Sequence, residues 1–116
     1  MADRRALLVD IDGVLVVSWV PVPGAVEALA ALRAAGVPIR LLTNTTSRTR
    51  AQITAALGRV GLPVEDAEVL TATSALADHL ASAHPGARCL LVTSGDLGPD
   101  LAGVTLVGPD APPGDV

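Results

Sequence analysis

The stretch LLVDIDGVLVV, residues 7–17, raises the first question about this chain. Its apolar run predicts a short buried strand at residues 6–9, yet two carboxylates, Asp10 and Asp12, follow within three positions. Neighbouring carboxylates repel each other unless a cation lies between them or one takes a proton. Gly13 permits the sharp backbone turn that directs both acids into a common crevice. The stretch therefore predicts a strand that ends at a functional site.

Strands and helices alternate along the rest of the chain, which predicts a parallel α/β sheet with right-handed crossovers. Thr46 or Ser47 is expected to cap the second helix, and Thr73 or Ser74 the third. We expect helices over residues 20–37, 46–62 and 73–86, and strands over residues 39–43, 69–70, 88–95 and 104–107.

The length and composition of the chain limit the kinds of function that it can have. The 116 residues fit one domain, and half of them are hydrophobic. The net charge is −4, all eight basic residues are arginines, and no basic stripe appears, so nucleic acid is not an expected partner. No signal peptide or membrane span is predicted, and the single cysteine, Cys89, cannot form an internal disulfide, which together predict a cytoplasmic protein. Arg33 is expected on a solvated face.

The second predicted strand ends in a polar run, LLTNTT, at residues 41–46. In parallel sheets ligands bind outside the carboxyl ends of the strands, so Thr43 and Asn44 are expected at the same crevice as Asp10 and Asp12. The Thr43 hydroxyl, nearby backbone N–H groups and the start of the next helix all favour a phosphate. A hard cation such as Mg2+ would relieve the repulsion between the two acids.

The paired stretches DIDGVL and LLTNTT resemble motifs I and II of the haloacid dehalogenase (HAD) superfamily. Together with EVLTATSALADHL, they resemble its class IIA, the NagD-like members, and within it the phospholysine phosphohistidine inorganic pyrophosphate phosphatase-like branch. The resemblance implies a HAD-like Rossmannoid core, a three-layer α/β arrangement around a parallel sheet. It also implies a Mg2+-dependent phosphatase that acts through an aspartyl-phosphate on a small phosphorylated metabolite.

Carried over by position, the resemblance assigns roles to individual residues. Asp10 is the nucleophile and a Mg2+ ligand, and Asp12 is the general acid and base and a second metal ligand. Thr43, Asn44 and Gly13 bind the phosphoryl group.

A small flap is expected at residues 14–20, with Trp19 at the mouth of the site or in the core. The family also uses a late Lys or Arg and a further acidic motif, whereas this chain contains no Lys. Asp96 and Asp100 resemble that acidic motif, but a structural turn is the preferred interpretation.

The short length predicts the N-terminal part of a longer protein, with an incomplete core and most of the cap absent. We expect half of the core in residues 1–84, a strand–turn–strand at the core edge or the start of the cap in residues 85–107, and a Pro/Gly-rich tail in residues 108–116. The first strand then lies at an apolar sheet edge, which favours a homodimer or a larger assembly. Two alternatives stay open: a catalytically incompetent protein of the same fold, and a receiver-like phospho-signalling module.

Overall fold

The computed structural model describes residues 5–112, which form two compact units. The first contains the chain up to Thr43 together with Arg50–Leu70, and the second contains Asn44–Thr49 together with the chain from Thr71. The domain boundaries predicted at residues 84 and 107 stay a prediction. Residues 113–116 of the predicted tail lie outside the described residues.

Seven strands and three helices follow one another along the described chain. The strands are β1 (Leu7–Asp10), β2 (Val16–Val17), β3 (Val20–Pro21), β4 (Ile39–Thr43), β5 (Val69–Thr71), β6 (Arg88–Leu90) and β7 (Thr105–Val107). The helices are α1 (Ala25–Ala34), α2 (Arg50–Arg59) and α3 (Ala72–Ala83), with short 3-10 turns at Asp66–Glu68 and Gly98–Leu101.

The first unit is built on a sheet with the strand order β1-β4-β5. Strands β1 and β4 are parallel, in a register that places Leu7 opposite Ile39 and Asp10 opposite Leu42. The sheet packs on a core of aliphatic side chains, as the near absence of aromatic residues requires. The fully buried members of this core include Ile11, Ile39, Leu41, Ile53, Leu57, Leu62 and Val69.

Strand β1 lies at one edge of this sheet, as far as the described residues form it. Its Leu8 side chain is 61% exposed, and Leu7 is 39% exposed. The expected apolar edge strand is therefore present, and the assembly that it would support stays a prediction. None of the helices in residues 5–112 is long and apolar enough to cross a membrane.

The second unit contains α3 and the parallel pair β6–β7, in which Arg88 lies opposite Thr105. The 3-10 turn at Gly98–Leu101 contacts α3. Leu97 and Leu101 are almost fully buried and provide apolar contacts at this turn. β6 ends at Leu90, five residues before the predicted end, because the following residues leave the extended pairing.

The first residues of the three helices differ from the predicted ones: α1 and α2 begin later, and α3 begins one residue earlier. α1 begins at Ala25 because residues 20–21 pair with β2 as a strand and Gly24 has a φ of 87°, outside the helical region. α2 begins at Arg50, so neither Thr46 nor Ser47 caps it.

The third helix has its cap two or three positions before the predicted one. The Thr71 hydroxyl accepts a hydrogen bond from the Ser74 N–H over 3.0 Å, and the Ser74 hydroxyl accepts one from the Thr71 N–H over 2.9 Å. This reciprocal capping box satisfies two backbone donors and fixes the start of α3 at Ala72.

Arg33 is only partly exposed and forms an ion pair, whereas the sequence predicted a solvated side chain. Its guanidinium donates two hydrogen bonds to the Glu68 carboxylate, over 2.8 and 2.7 Å, and a third to the Pro63 carbonyl oxygen. The hydrogen bond with Arg33 lowers the pKa of Glu68 from its ordinary 4.5 to about 2, although partial burial opposes the shift. The pair fixes α1 against the 3-10 turn that precedes β5.

Candidate active site

The candidate site begins where β1 ends. Ile11 continues the strand for one residue, since its N–H donates to the Leu42 carbonyl oxygen over 3.1 Å, and its side chain is buried in the core. Side chains alternate along an extended segment, so the two neighbours of Ile11 face away from the core. Asp10 and Asp12 are accordingly both exposed.

A tight turn follows the two acids. The Gly13 N–H donates to the Val16 carbonyl oxygen over 2.8 Å, and the N–H groups of Leu15 and Val16 both donate to the Ile11 carbonyl oxygen. Gly13 has a φ of 86°, in the left-handed region that favours glycine. The backbone conformation of this turn therefore favours glycine at residue 13.

Thr43 joins the two predicted motifs. It is the last residue of β4, the strand that pairs with β1. Its hydroxyl donates a hydrogen bond to Oδ2 of Asp12 over 3.2 Å. The structure thus brings Asp12 and Thr43 into contact at the carboxyl ends of two neighbouring parallel strands, the edge at which ligands bind in sheets of this type.

Asn44 follows Thr43 directly and is the first residue of the second unit. Its side chain is exposed. The expected catalytic, metal-binding and phosphate-binding roles of Asp10, Asp12, Gly13, Thr43 and Asn44 stay predictions.

The expected flap is a small hairpin. β2 and β3 pair antiparallel, and the two residues between them, Ser18 and Trp19, have φ values of 48° and 63°. Positive φ at both central residues matches the right-handed twist of a two-residue hairpin. The half-buried Trp19 packs against the core of the first unit, so the indole contributes to the packing there.

The two carboxylates suit Mg2+ as part of a ligand set. Among residues 5–112 no group of three or more His, Cys, Asp or Glu side chains could hold a metal ion. Mg2+, however, is commonly bound by one or two carboxylates and keeps several waters, and both Asp10 and Asp12 are open to water. The donor set on this chain therefore fits the ion.

Asp96 belongs to a local turn. Its Oδ1 accepts a hydrogen bond from the N–H of Gly98 over 3.0 Å, two residues further on. This is the Asx-type turn that aspartate commonly forms with its own backbone, in agreement with the preferred structural interpretation.

Sequence reasoning missed one feature close to the predicted phosphate-binding residues. The loop formed by residues 44–49 is held within the second unit by the turn at residues 93–95. The Thr93 hydroxyl donates to the Thr46 carbonyl oxygen over 2.8 Å, and Gly95 lies against the backbone of Ser47. The only signal in the sequence was a Thr-Ser-Gly run after an apolar strand, which by itself indicates no more than a turn.

Comparison with known proteins identifies the family. The family model described as haloacid dehalogenase-like hydrolase matches residues 7–106. The chain belongs to this family. It is 38% identical over 114 residues to haloacid dehalogenase-like hydrolase domain-containing protein 2 of Rattus norvegicus, covering 96% of this chain and 43% of that protein.

Solved structures agree with this assignment. NagD from Escherichia coli K-12 matches with a TM-score of 0.77 and 35% identity, over 88% of this chain and 41% of its own. A p-nitrophenyl phosphatase from Archaeoglobus fulgidus matches with a TM-score of 0.78 and 34% identity, over 90% of this chain and 41% of its own. A glycerol phosphate phosphatase from Mycobacterium tuberculosis, in complex with magnesium, matches with a TM-score of 0.75 and 31% identity. The match covers 86% of this chain and 31% of that chain.

These matches confirm the HAD-like α/β fold and the NagD-like, class IIA branch that the sequence predicted. The chain spans less than half the length of the relatives it matches, at 43% of the rat protein and 41% of NagD.

Proposed function

We propose that this chain carries the nucleophile and phosphate-binding residues of a Mg2+-dependent phosphatase. The observation that carries the proposal is the 3.2 Å hydrogen bond from the Thr43 hydroxyl to the Asp12 carboxylate. It joins the Asp-x-Asp-Gly run at the end of β1 to the Thr-Asn run at the end of β4, at the edge of the sheet where ligands bind.

Asp10 is the nucleophile. One of its carboxylate oxygens attacks the phosphorus of a phosphate monoester, forming an aspartyl-phosphate while the bond from phosphorus to the leaving oxygen breaks. Its place at the end of a paired strand restricts its backbone, since β1 is held to β4 through Leu42. A nucleophile held in a fixed position loses less entropy when it reacts, which lowers the activation barrier.

Asp12 is the general acid and base. It delivers a proton to the leaving oxygen in the first step and removes one from the attacking water in the second, which releases inorganic phosphate and returns Asp10 to a carboxylate. The Thr43 hydrogen bond orients the Asp12 carboxyl group. In the proposed mechanism the same hydroxyl would also contact a phosphoryl oxygen. Asn44 and the Gly13 turn complete the proposed phosphate-binding residues.

The carboxylate of Asp10 and the main chain or carboxylate of Asp12 would hold Mg2+. When bound, the ion neutralises the charge that builds up on the phosphoryl oxygens and orients them toward the nucleophile. Two solved relatives, a p-nitrophenyl phosphatase and a glycerol phosphate phosphatase in complex with magnesium, support a phosphatase that uses this ion. The proposed substrate class is a small phosphorylated metabolite.

The direct test is hydrolysis of p-nitrophenyl phosphate by the 116-residue chain, with and without Mg2+. We expect Mg2+-dependent turnover that Asp10→Asn abolishes. Asp96→Asn is the matched control, because Asn keeps an oxygen that can accept the hydrogen bond from Gly98 N–H, and its rate should equal that of the unchanged chain. Turnover that persists at an unchanged rate in Asp10→Asn would contradict the role of Asp10.

A catalytically incompetent protein of the same fold is the second candidate. Two observations favour it: the chain contains no Lys, and no third acidic metal ligand accompanies Asp10 and Asp12 within the described residues. Absence of turnover together with retained binding of a phosphate analogue would support this candidate. A long-lived aspartyl-phosphate formed from a small phosphodonor, without hydrolysis, would instead support a receiver-like module.

A further inference from the structure

We propose that Thr93 and Gly95 are positioning residues for the phosphate-binding loop at residues 44–49. The inference rests on the proposed function, since it concerns the loop that continues from Thr43 and begins with Asn44. Neither residue touches the reacting atoms in the proposed mechanism. Their effect would pass through the backbone of the loop.

Thr93 holds the middle of the loop. Its hydroxyl donates to the carbonyl oxygen of Thr46 over 2.8 Å, although 47 residues separate the two in the sequence. A hydrogen bond to a carbonyl fixes the peptide plane that follows it, so it restricts the neighbouring N–H groups as well. Both residues are exposed, and without this contact the loop would be free to exchange its carbonyl partner for water.

Gly95 sets how closely the turn approaches the loop. A Cβ built on Gly95 would lie 2.5 Å from the carbonyl oxygen of Ser47 and 3.3 Å from its carbonyl carbon. Real Cβ atoms do not approach backbone atoms this closely, so any side chain at residue 95 displaces the loop. The φ of Gly95 is not in the left-handed region, and the requirement for glycine is therefore one of space.

The turn that carries Thr93 and Gly95 is itself well supported. Leu97, two residues after Gly95, is almost fully buried, as is Leu101 in the 3-10 turn that contacts α3. The Asp96 side chain closes the local turn on the Gly98 N–H. A rigid support of this kind can hold a loop in the conformation that binding needs, which lowers the entropy lost on binding.

Under the proposed function, the Asn44 side chain and nearby backbone N–H groups of the loop would bind the phosphoryl group. If the turn pre-orders these donors, its loss should weaken anion binding without removing the nucleophile. It should also make the loop more accessible to proteases, because cleavage requires an extended and mobile chain. Arg48 lies exposed within the loop and offers a trypsin site there.

Four variants test the proposal: Thr93→Val, Thr93→Ser, Gly95→Ala and Gly103→Ala. Thr93→Val replaces the hydroxyl with a methyl group and leaves the shape of the side chain almost unchanged. Thr93→Ser keeps the hydroxyl. Gly103→Ala is the matched control for Gly95→Ala, because a Cβ at Gly103 meets nothing within 4 Å and its φ is not left-handed.

Two quantities are measured on each variant: the affinity for beryllium fluoride in the presence of Mg2+, and the rate of trypsin cleavage after Arg48 relative to Arg88. We expect Thr93→Val to bind roughly three- to tenfold more weakly and to be cut faster at Arg48 by a similar factor, with Thr93→Ser close to the unchanged chain. Gly95→Ala should show the larger effect, and Gly103→Ala none. Urea unfolding midpoints show whether a variant is generally destabilised.

The outcomes distinguish failure of the positioning role from failure of the proposed function. If the unchanged chain binds the anion and Thr93→Val and Gly95→Ala bind and are cut like it, the positioning role is overturned and the proposed function stands. If Gly103→Ala shows the same losses as Gly95→Ala, the positioning role is again overturned, because the effect is not specific to the contact with Ser47. A chain that binds no anion overturns both the proposed function and this inference.

Discussion

The Thr43 hydroxyl donates to the Asp12 carboxylate over 3.2 Å across 31 residues of sequence. The contact follows from the register of β1 and β4, in which Asp10 lies opposite Leu42, so that Thr43 at the end of β4 meets Asp12 just beyond β1. A one-residue slip in this pairing would turn the side chains of β1 to the opposite face of the sheet. The buried Ile11 opposes such a slip because its aliphatic side chain would have to leave the core.

Replacing Thr43 should weaken binding of a phosphate analogue while leaving the fold intact. We expect Thr43→Val to lose roughly ten- to a hundredfold in affinity, because it removes a hydrogen bond to a charged group. Thr43→Ser keeps the hydroxyl and is the control, with an affinity near that of the unchanged chain. The measurement is titration with beryllium fluoride and Mg2+. Equal affinities for Thr43→Val and Thr43→Ser would show that the hydroxyl has no part in binding.

The Arg33–Glu68 pair should make stability depend on pH in the acid range. Because the folded pKa of Glu68 is lowered to about 2, the pair stabilises the fold above the ordinary value of 4.5, and this contribution is lost as the pH falls toward 2. Both side chains are partly exposed, at 33% and 18%, so we expect about 1 kcal/mol in total.

Urea unfolding at pH 7, 4 and 3 checks this expectation. Glu68→Gln should be less stable by about 1 kcal/mol at pH 7 and should lose less stability than the unchanged chain on acidification. Asp78→Asn, which replaces an exposed carboxylate on α3, is the control and should follow the unchanged chain at each pH. A Glu68→Gln curve parallel to that of the unchanged chain would remove the pair as the source of the pH dependence.

The β1 edge should support association of the chain. Leu8 is 61% exposed on a strand that lies at the edge of the described sheet, and an apolar edge of this kind offers unpaired backbone groups to another strand. We expect a concentration-dependent dimer in sedimentation velocity, weakened by Leu8→Arg.

Val92→Arg is the matched control for this experiment. Val92 is 88% exposed but lies outside every strand of the described residues, so a charge there should not change a dimer formed through β1. Equal weakening by both variants would indicate association through general surface hydrophobicity, and a monomer at all concentrations would exclude the edge as an interface of this chain.

The sequence predicted the parts of the fold that depend on apolar periodicity and on the alternation of strands with helices. Residues 39–43 were predicted as a strand and form β4, and the crevice after β1 and β4 follows from the general geometry of parallel sheets. The coupling of Asp12 to Thr43 could be anticipated for that reason. The family assignment came from the spacing of the same two motifs.

The sequence did not predict the features that depend on individual hydrogen bonds. α3 begins after Thr71 because its hydroxyl and that of Ser74 bond each other's backbone, whereas apolar periodicity leaves the first turn of a helix undetermined. The Arg33–Glu68 pair spans 35 residues and the Thr93–Thr46 contact spans 47. Contacts at such separations depend on how the elements pack, which no local pattern contains.

The most direct test of the site is binding of beryllium fluoride with Mg2+, followed by backbone NMR of the 116-residue chain. Beryllium fluoride binds an aspartate carboxylate in the geometry of an acyl-phosphate, so it reports the site without requiring turnover. We predict shifts concentrated in the amides of residues 10–13 and 42–45, and their loss in Asp10→Asn but not in Asp96→Asn. Shifts elsewhere in the chain, or shifts that persist unchanged in Asp10→Asn, would contradict a phosphoryl site at the ends of β1 and β4.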